Sequence, residues 1–434
     1  MEFLSSDNVG VLDLATGEVS EDELAEDLVA EKIGGAAINA YLYEQHQDAD
    51  PVVLGSGLLT GTLVPGTSLG LMSAKSPLTG ALCHVPIVQY AGMELKYSGF
   101  DYLVLRGKAP EPSLVWIHDG IADVEPAGDL WGQDVWQTVD AIRSNMGDEM
   151  IQVLAVGPAA ERGSSLAAVM NNFWPGADRF ALGKVLAERN IKAIAIRGMG
   201  LLEVAEDEDF VERCVELLAK VKEGAWAGKQ GFADLAEAMG RPEAGGWLQP
   251  LIHRSRASFN VPFAYNSFAM IEGDPSVLTE PDIDEPGVLV SDPLGAMALQ
   301  ELGLGAAEAA GLLRDCAKDG LDAANLAALC QAQGKTDAAA ISAALADIDG
   351  EVAAPSGPFS PWAPAQPLLA DFGESGDAWW QRRQAVAYIM GLDPIFALMS
   401  PELSEEVLVE MAALGTELDI TAETLDQAVS SLLG

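Results

Sequence analysis

Residues 59–80, LTGTLVPGTSLGLMSAKSPLTG, begin and end on the same tripeptide, Leu-Thr-Gly, and carry Lys75 as their only charged residue. Surface loops of this length are normally polar. An apolar, glycine-rich one is expected to press against something large, either the chain's own core or a ligand, because glycine has no Cβ to hold a neighbour away. The flanking sequence places this stretch in a mixed α/β region. Residues 9–19, VGVLDLATGEV, alternate apolar and polar around Ala-Thr-Gly and predict a β-hairpin. Ser20 then precedes EDELAEDLVAEKIGG, which predicts an N-capped helix with acid in its first turn, followed by a second helix over AAINAYLYEQ. PVVLGSGLL, FDYLVLRG, SLVWIHDG, IQVLAVG and KAIAIRGMG are short β-rich runs bounded by glycine or proline, and residues 131–147 and 179–190 have helical spacing.

The character of the chain changes after residue 205. Residues 206–240 read as helix, and residues 241–300 as irregular, rich in Gly, Pro and Asp. Residues 300–348 read as alanine-rich helices, GEVAAPSGPFSPWAPAQP (350–367) as a proline-rich connector, and the remainder as helix again. The expected fold class is α+β, with an N-terminal α/β domain over 1–205, a helical domain over 206–349, the connector, and a C-terminal helical domain over 368–434.

Composition limits what such a chain can do. Its 434 residues are 49% hydrophobic, enough for a substantial core. The formal net charge of −42 disfavours nucleic acid and anionic lipid as partners and suits a basic partner subunit or a high-salt cytoplasm. No apolar run is long enough to span a membrane, and the acidic N-terminus lacks the pattern of a signal peptide, so a cytoplasmic location is expected. The four cysteines, Cys83, Cys214, Cys316 and Cys330, are scattered, none in C-x-x-C, and read as reduced, buried thiols.

Several motifs, in fixed order, resemble the tungsten-containing aldehyde ferredoxin oxidoreductases. They are LDLATGEV, IGGAAINAYLYEQ, the LTGT…KSPLTG stretch, GMELKYSGFDYLVLRGKA, LWG at 130–132, VGPAAE, AAVMN at 167–171 and NIKAIAIRG. A fainter likeness continues through CAKDGLD (316–322) and YIMGLD (388–393). The resemblance implies a head of two layered sheets supporting a tungsten ion held by two pterin dithiolenes, helical domains closing over them, and a neighbouring iron–sulfur cluster. It places the 59–80 stretch where that family's backbone approaches the cofactor.

Carried over residue by residue, the resemblance assigns cofactor contacts to Lys75, Asn171, Gly176, Arg179, Gly320, Asp322, Gly391 and Asp393. It also marks departures. Leu69 stands where the family has an arginine serving the pterin phosphates, and a leucine offers no donor. Pro86-Ile87-Val88-Gln89 replaces a polar, glycine-rich turn against the pterin, and Phe173, Trp174 and Phe180 bring bulk into a third contact region. GGWLQPLIHRSRASFNVPF (245–263) contains no cysteine where the family supplies three cluster ligands, and Asp393 stands at the fourth; Ala317 and Tyr388 replace the leading aspartates of the two D-x-x-G-L motifs.

Other candidates read as structural. His84, beside Cys83, cannot easily share an ion with it, because neighbours on a strand face opposite ways. His253, Arg254 and Arg256 form a basic island suited to a phosphate or a partner's carboxylates, or to balancing local acid. Trp174, Trp362, Trp379 and Trp380 are expected in the core or at an interface.

The expected function is therefore a non-catalytic subunit of a larger redox complex, without a resident metal or cofactor. Its partner would be a full-length aldehyde ferredoxin oxidoreductase homologue or an iron–sulfur, ferredoxin-like protein. The alternative is an oxidoreductase acting on aldehydes or carboxylic acids with a tungsten or molybdenum bis-pterin, its cluster on another subunit. A third option is a small-molecule binding protein that reuses the emptied pocket.

Overall fold

The computed structural model describes residues 3–4, 7–272 and 287–434; the part of the 241–300 region between 273 and 286 lies outside them. Asn8–Asp13 (β1) turns back onto Val19–Glu23 (β2), and the turn is set by the Asp13 carboxylate, which accepts from Ala15 N at 2.8 Å and Thr16 N at 3.2 Å. The hairpin is as expected, but the second strand runs through Ser20-Glu21-Asp22-Glu23. The first helix begins only at Glu26, without a side-chain cap, so Ser20 is a strand residue and not an N-cap.

Val52–Ser56 (β3), Gly70–Lys75 (β4), Leu82–Ile87 (β5) and Tyr102–Arg106 (β6) complete a six-stranded sheet in the order β2-β1-β6-β3-β4-β5. Within it only β1 and β6 pair in parallel. The 59–80 stretch thus contains one strand, β4, which forms a hairpin with β5 around the second Leu-Thr-Gly. A second six-stranded sheet contains Ser113–His118 (β7), Ile121–Pro126 (β8), Gln152–Ala155 (β9), Met170–Asn171 (β10), Trp174–Pro175 (β11) and Ile191–Arg197 (β12). Its order is β11-β10-β9-β12-β7-β8, with β7 and β12 parallel. β3 and β9 are buried along their whole length, so they read as unbroken apolar runs and not as alternating ones.

Six helices serve these sheets: α1 (Glu26–Lys32), α2 (Gly35–Gln45), α3 (Ala91–Tyr97), α4 (Val135–Met146), α5 (Pro158–Glu161) and α6 (Leu182–Glu188). α2 and α3 both lie on β3 and β4. α4 opens with a capping box in which Asp134 accepts from Gln137 N at 2.8 Å while Gln137 Oε1 accepts from Asp134 N at 3.1 Å.

The helical remainder comprises α7 (Asp207–Lys222), α8 (Gly231–Ala238), α9 (Pro242–Leu248), α10 (Pro293–Glu301), α11 (Ala306–Asp319), α12 (Ala323–Ala332), α13 (Ala338–Ala344), α14 (Asp377–Met390), α15 (Glu405–Gly415) and α16 (Ala422–Leu433). The described parts of 241–300, residues 241–272 and 287–300, are more ordered than expected. Besides α9 and α10 they hold an antiparallel sheet of Ile252–Arg256 (β13), Asn266–Met270 (β14) and Gly287–Val290 (β15). β13, IHRSR, has neither alternation nor a β-rich composition, and its pairing to β14 is a tertiary effect that local pattern does not encode. Two C-terminal helices return to the head, α14 packing on α2 and α16 on α1 and α2, while α15 packs on α7 within the helical region. Leu58 N and Leu59 N donate to Ile389 O at 3.1 Å and Met390 O at 2.9 Å, so the start of the 59–80 stretch is hydrogen-bonded to the end of α14.

Candidate functional site

The two Gly-Leu-Asp motifs build the same local structure. Gly320 ends α11 and Gly391 ends α14, both with left-handed backbone at φ 74° and φ 94°, which glycine adopts without Cβ strain. The leucine that follows is buried in each case, and the aspartate starts the next helical turn. Asp322 Oδ1 accepts from Asn325 N at 2.7 Å at the head of α12. Asp393 Oδ1 accepts from Ile395 N at 3.1 Å and Phe396 N at 2.9 Å. Each glycine carbonyl also receives an amide from the head, Ala168 N to Gly320 O at 2.8 Å and Leu69 N to Gly391 O at 3.0 Å.

These motifs aim their aspartates at the seam between head and helices, and each second oxygen meets a protein partner. Arg179, from the loop between β11 and α6, donates through Nη2 to both oxygens of Asp292, at 2.7 and 2.8 Å, and through Nη1 to Asp322 Oδ2. All three side chains are buried. Burial opposes the guanidinium charge, but the two carboxylates outweigh it and hold the Arg179 pKa above its usual value. Burial, with the charge of Asp292 beside it, raises the Asp322 carboxyl despite Arg179. Asp393 is the counterpart: its Oδ2 accepts from Tyr265 Oη at 2.5 Å, and Tyr265 shares a hydrogen bond of 2.9 Å with Ser258 Oγ. Burial raises both Asp393 and Tyr265.

The remaining sequence candidates separate. Asn171, in β10, accepts at Oδ1 from Val88 N at 2.9 Å and so fastens the Pro86–Gln89 segment to the second sheet. A Cβ on Gly176 would lie 2.1 Å from Asn171 Nδ2, so this glycine accommodates the asparagine. Lys75 is exposed at the end of β4 and joins none of these groups; its neighbour Ser76 turns inward and donates to Phe180 O at 2.9 Å. The glycines of the 59–80 stretch make their close approaches to the chain itself. A Cβ on Gly66 would meet Phe396 at 1.9 Å, and one on Gly70 would meet Gly92 at 2.8 Å. The apolar face of this segment packs on Gly391, Phe396 and Gly92, the first of the two expectations for it, the chain's own core.

Leu69, Ile87, Val88, Trp174 and Phe180 are buried. Trp136, Phe173, Trp174 and Phe268 form an edge-to-face aromatic cluster with centroid spacings of 5.2–6.4 Å. His84 Nδ1 lies 2.7 Å from Ser73 Oγ, which accepts from Asn39 Nδ2 at 2.8 Å; burial lowers the imidazole pKa to about 3, so the ring is neutral. Cys83 points to the other face and donates to Ala74 O at 3.3 Å. The four cysteines are buried free thiols, and no group of His, Cys, Asp and Glu among the described residues is arranged to hold a metal ion. No described helix is long and apolar enough to cross a membrane.

Asp292 and Tyr265 are the functional-site residues that sequence reading missed. The Ser291-Asp292-Pro293 step ahead of α10 is a helix-start signal, but nothing in it names Arg179 as partner.

Residues 9–198 match the profile of the aldehyde ferredoxin oxidoreductase N-terminal domain. Among curated relatives, a tungsten-containing aldehyde ferredoxin oxidoreductase of Pyrococcus abyssi is 33% identical over 225 residues, covering 50% of this chain and 37% of that protein. An aliphatic sulfonate oxidoreductase, WOR-like subunit, of Pyrococcus furiosus is 25% identical over 221 residues, covering 46% of this chain and 35% of its own length. The chain therefore spans little more than a third of the length of these relatives. Among solved structures, the active site complex BamBC of benzoyl coenzyme A reductase superposes with a TM-score of 0.63 at 18% identity, covering 77% of this chain and 57% of that one. That likeness establishes the fold.

Proposed function

We propose that this chain, whose residues 9–198 match the aldehyde ferredoxin oxidoreductase N-terminal domain, is a non-catalytic member of that oxidoreductase family, acting as a subunit of a larger redox complex. The observation that carries this reading is the Arg179–Asp292–Asp322 cluster. Two of the groups that the resemblance assigns to a pterin, Arg179 and Asp322, are buried and paired with each other, and Arg179 also holds Asp292.

The fit of a tungsten bis-pterin to these residues is poor. Arg179 has a carboxylate on each terminal nitrogen, Asp322 and Asp393 have both oxygens in use, and Asn171 Oδ1 holds Val88 N. Gly391 leaves no clearance, since a Cβ there would lie 2.1 Å from Thr60 Oγ1. To admit the group, the chain would have to break a buried ion cluster, and breaking such a pair by removing one partner typically costs about 3–5 kcal/mol. No reaction step is therefore derived through it. Asp393 at the former cluster-ligand position, hydrogen-bonded to Tyr265, supports the same reading.

A redox-complex role would draw its electron carrier from a partner subunit, and the WOR-like subunit relative lends support to that setting. Native mass spectrometry of the protein isolated from its source tests this: the expected result is a stable hetero-oligomer with an iron–sulfur or tungsten-containing partner, and recovery of the chain alone would count against it.

A further inference from the structure

A cleft of about 750 Å³ opens where β13, β14 and β15 meet α4 and the turn between β10 and β11. Its volume lies in the range of small-molecule sites. None of the residues of the Arg179 cluster or of the Asp393 site lines it, so a ligand bound there is independent of the proposed function.

In a chain of net charge −42, this cleft gathers three guanidinium groups, Arg143 from α4 and Arg254 and Arg256 from β13. Arg143 is half-buried, and its hydrogen bonds go to neutral acceptors, from Nε to Ile151 O at 2.9 Å and from Nη2 to Asn172 Oδ1 at 2.9 Å. Among the described residues no carboxylate lies within ion-pairing distance of it; its guanidinium rests over the Phe173 ring, 5.2 Å from the centroid. Arg256 is exposed and makes no side-chain hydrogen bond or ion pair among the described residues. Gln89 adds a further donor: only 8% exposed, it lines the cleft, and its Nε2 has no hydrogen-bond partner.

The opposite character lies underneath. Trp174 and Phe268 meet edge to face at 6.4 Å and form an apolar floor, over which Arg254 stacks on Phe268 at 5.5 Å, while Tyr90 stands half-exposed at the mouth. A partly desolvated arginine that no carboxylate contacts directly, beside an unfilled amide donor, calls for an anion, since buried polar groups are normally satisfied. The aromatic floor calls for a flat apolar body. Of the acids around the cleft, Glu94 is taken by Arg197 and by Gly198 N at 2.6 Å and Asp148 pairs with Arg197, while Asp140 and Glu149 are exposed at the rim. The charges of Asp140, Glu149 and Asp148 reach Arg143 without touching it.

We infer that this cleft binds a small planar aromatic anion, with its ring on Trp174 and Phe268 and its carboxylate or phosphate toward Arg143, Gln89 and Arg256.

Isothermal titration calorimetry of the full chain with naphthoate, naphthyl phosphate and the neutral naphthylmethanol tests this. At least one anion binds saturably, and the tighter one identifies the head group. The neutral alcohol binds at least about tenfold more weakly, the worth of one charge-assisted contact. Arg256→Gln, an exposed change that leaves the thermal midpoint in place, weakens the anion about threefold to fivefold, and Glu149→Gln strengthens it about twofold. The inference is overturned by the absence of saturable binding for both anions, by equal affinity for the alcohol, or by an Arg256→Gln protein that binds unchanged.

Discussion

Gly320 and Gly391 are structural equivalents: each ends a helix with left-handed backbone, hands its carbonyl to an amide of the head domain, and sets an aspartate two residues on to start the next helical turn. Two of the places where the helical region docks on the α/β head are therefore one design used twice. The first aspartate is neutralised by Arg179 and the second is capped by Tyr265.

Gly391 is the tighter of the two docks. Gly391→Ala places a Cβ at φ 94° and 2.1 Å from Thr60 Oγ1, and should cost about 2–4 kcal/mol through backbone strain plus overpacking. Gly80→Ala, at φ 69° with nothing within 4 Å, should lose only the backbone share, about 1 kcal/mol. Urea unfolding of both variants measures the difference; equal losses would show that the dock is not packed as described.

Arg179→Met leaves Asp292 and Asp322 buried together without a cation. A loss of about 3–5 kcal/mol is expected at neutral pH. The loss should shrink on acidification, because protonating one carboxyl removes the repulsion. In the intact protein Asp322 is raised, so the folded state holds its proton above the unfolded value of 3.8. The stability from that group is full below the unfolded pKa and is lost as pH rises through the folded one. Asp322→Asn should therefore flatten the decline between the two. Denaturation midpoints across this pH range, compared among the three proteins, check both statements.

His84 works in the opposite direction. Its imidazole is held neutral, with burial lowering its pKa to about 3 from 6.5. The unfolded chain takes up a proton first on acidification, so stability from this site is present above pH 6.5 and is lost as pH falls toward 3, by up to about 1.4 kcal/mol per pH unit. His84→Gln, which can keep the hydrogen bond to Ser73, should remove that acid-side slope. A variant with the wild-type slope would mean that the ring titrates normally.

Tyr265→Phe removes the donor to Asp393 and should cost about 1.5–3 kcal/mol, the range for a hydrogen bond to a charged group. A double-mutant cycle with Asp393→Asn should return a coupling of the same sign; independent, additive losses would break the proposed pair.

Much of this arrangement was legible in the sequence, and the illegible part has a physical pattern. Local signals worked where a short segment decides its own conformation. Ala15-Thr16-Gly17 gave the hairpin, and the apolar runs β3, β9 and β12 the strands of the two sheets. The bulk at Leu69, Val88, Trp174 and Phe180 pointed to packed protein in the regions where the resemblance implied cofactor contacts. Long-range partners stayed hidden. Asp292 is 113 residues from Arg179, and Tyr265 is 128 residues from Asp393. Neither lies in a motif, and β13 earns its strand only by pairing with β14. Ser20 was misplaced because a capping residue before acidic helix formers is a sound local signal that pairing to β1 overrides.

The central claim is that Arg179, Asp292 and Asp322, and likewise Asp393 and Tyr265, satisfy one another in the seam between head and helices, leaving no place for a tungsten pterin. Inductively coupled plasma mass spectrometry tests it most directly, on this chain separated from its partners after growth with tungstate and molybdate. The account predicts only traces of either metal, unchanged in Arg179→Met; a near-stoichiometric tungsten or molybdenum content that falls away in Arg179→Met would contradict it.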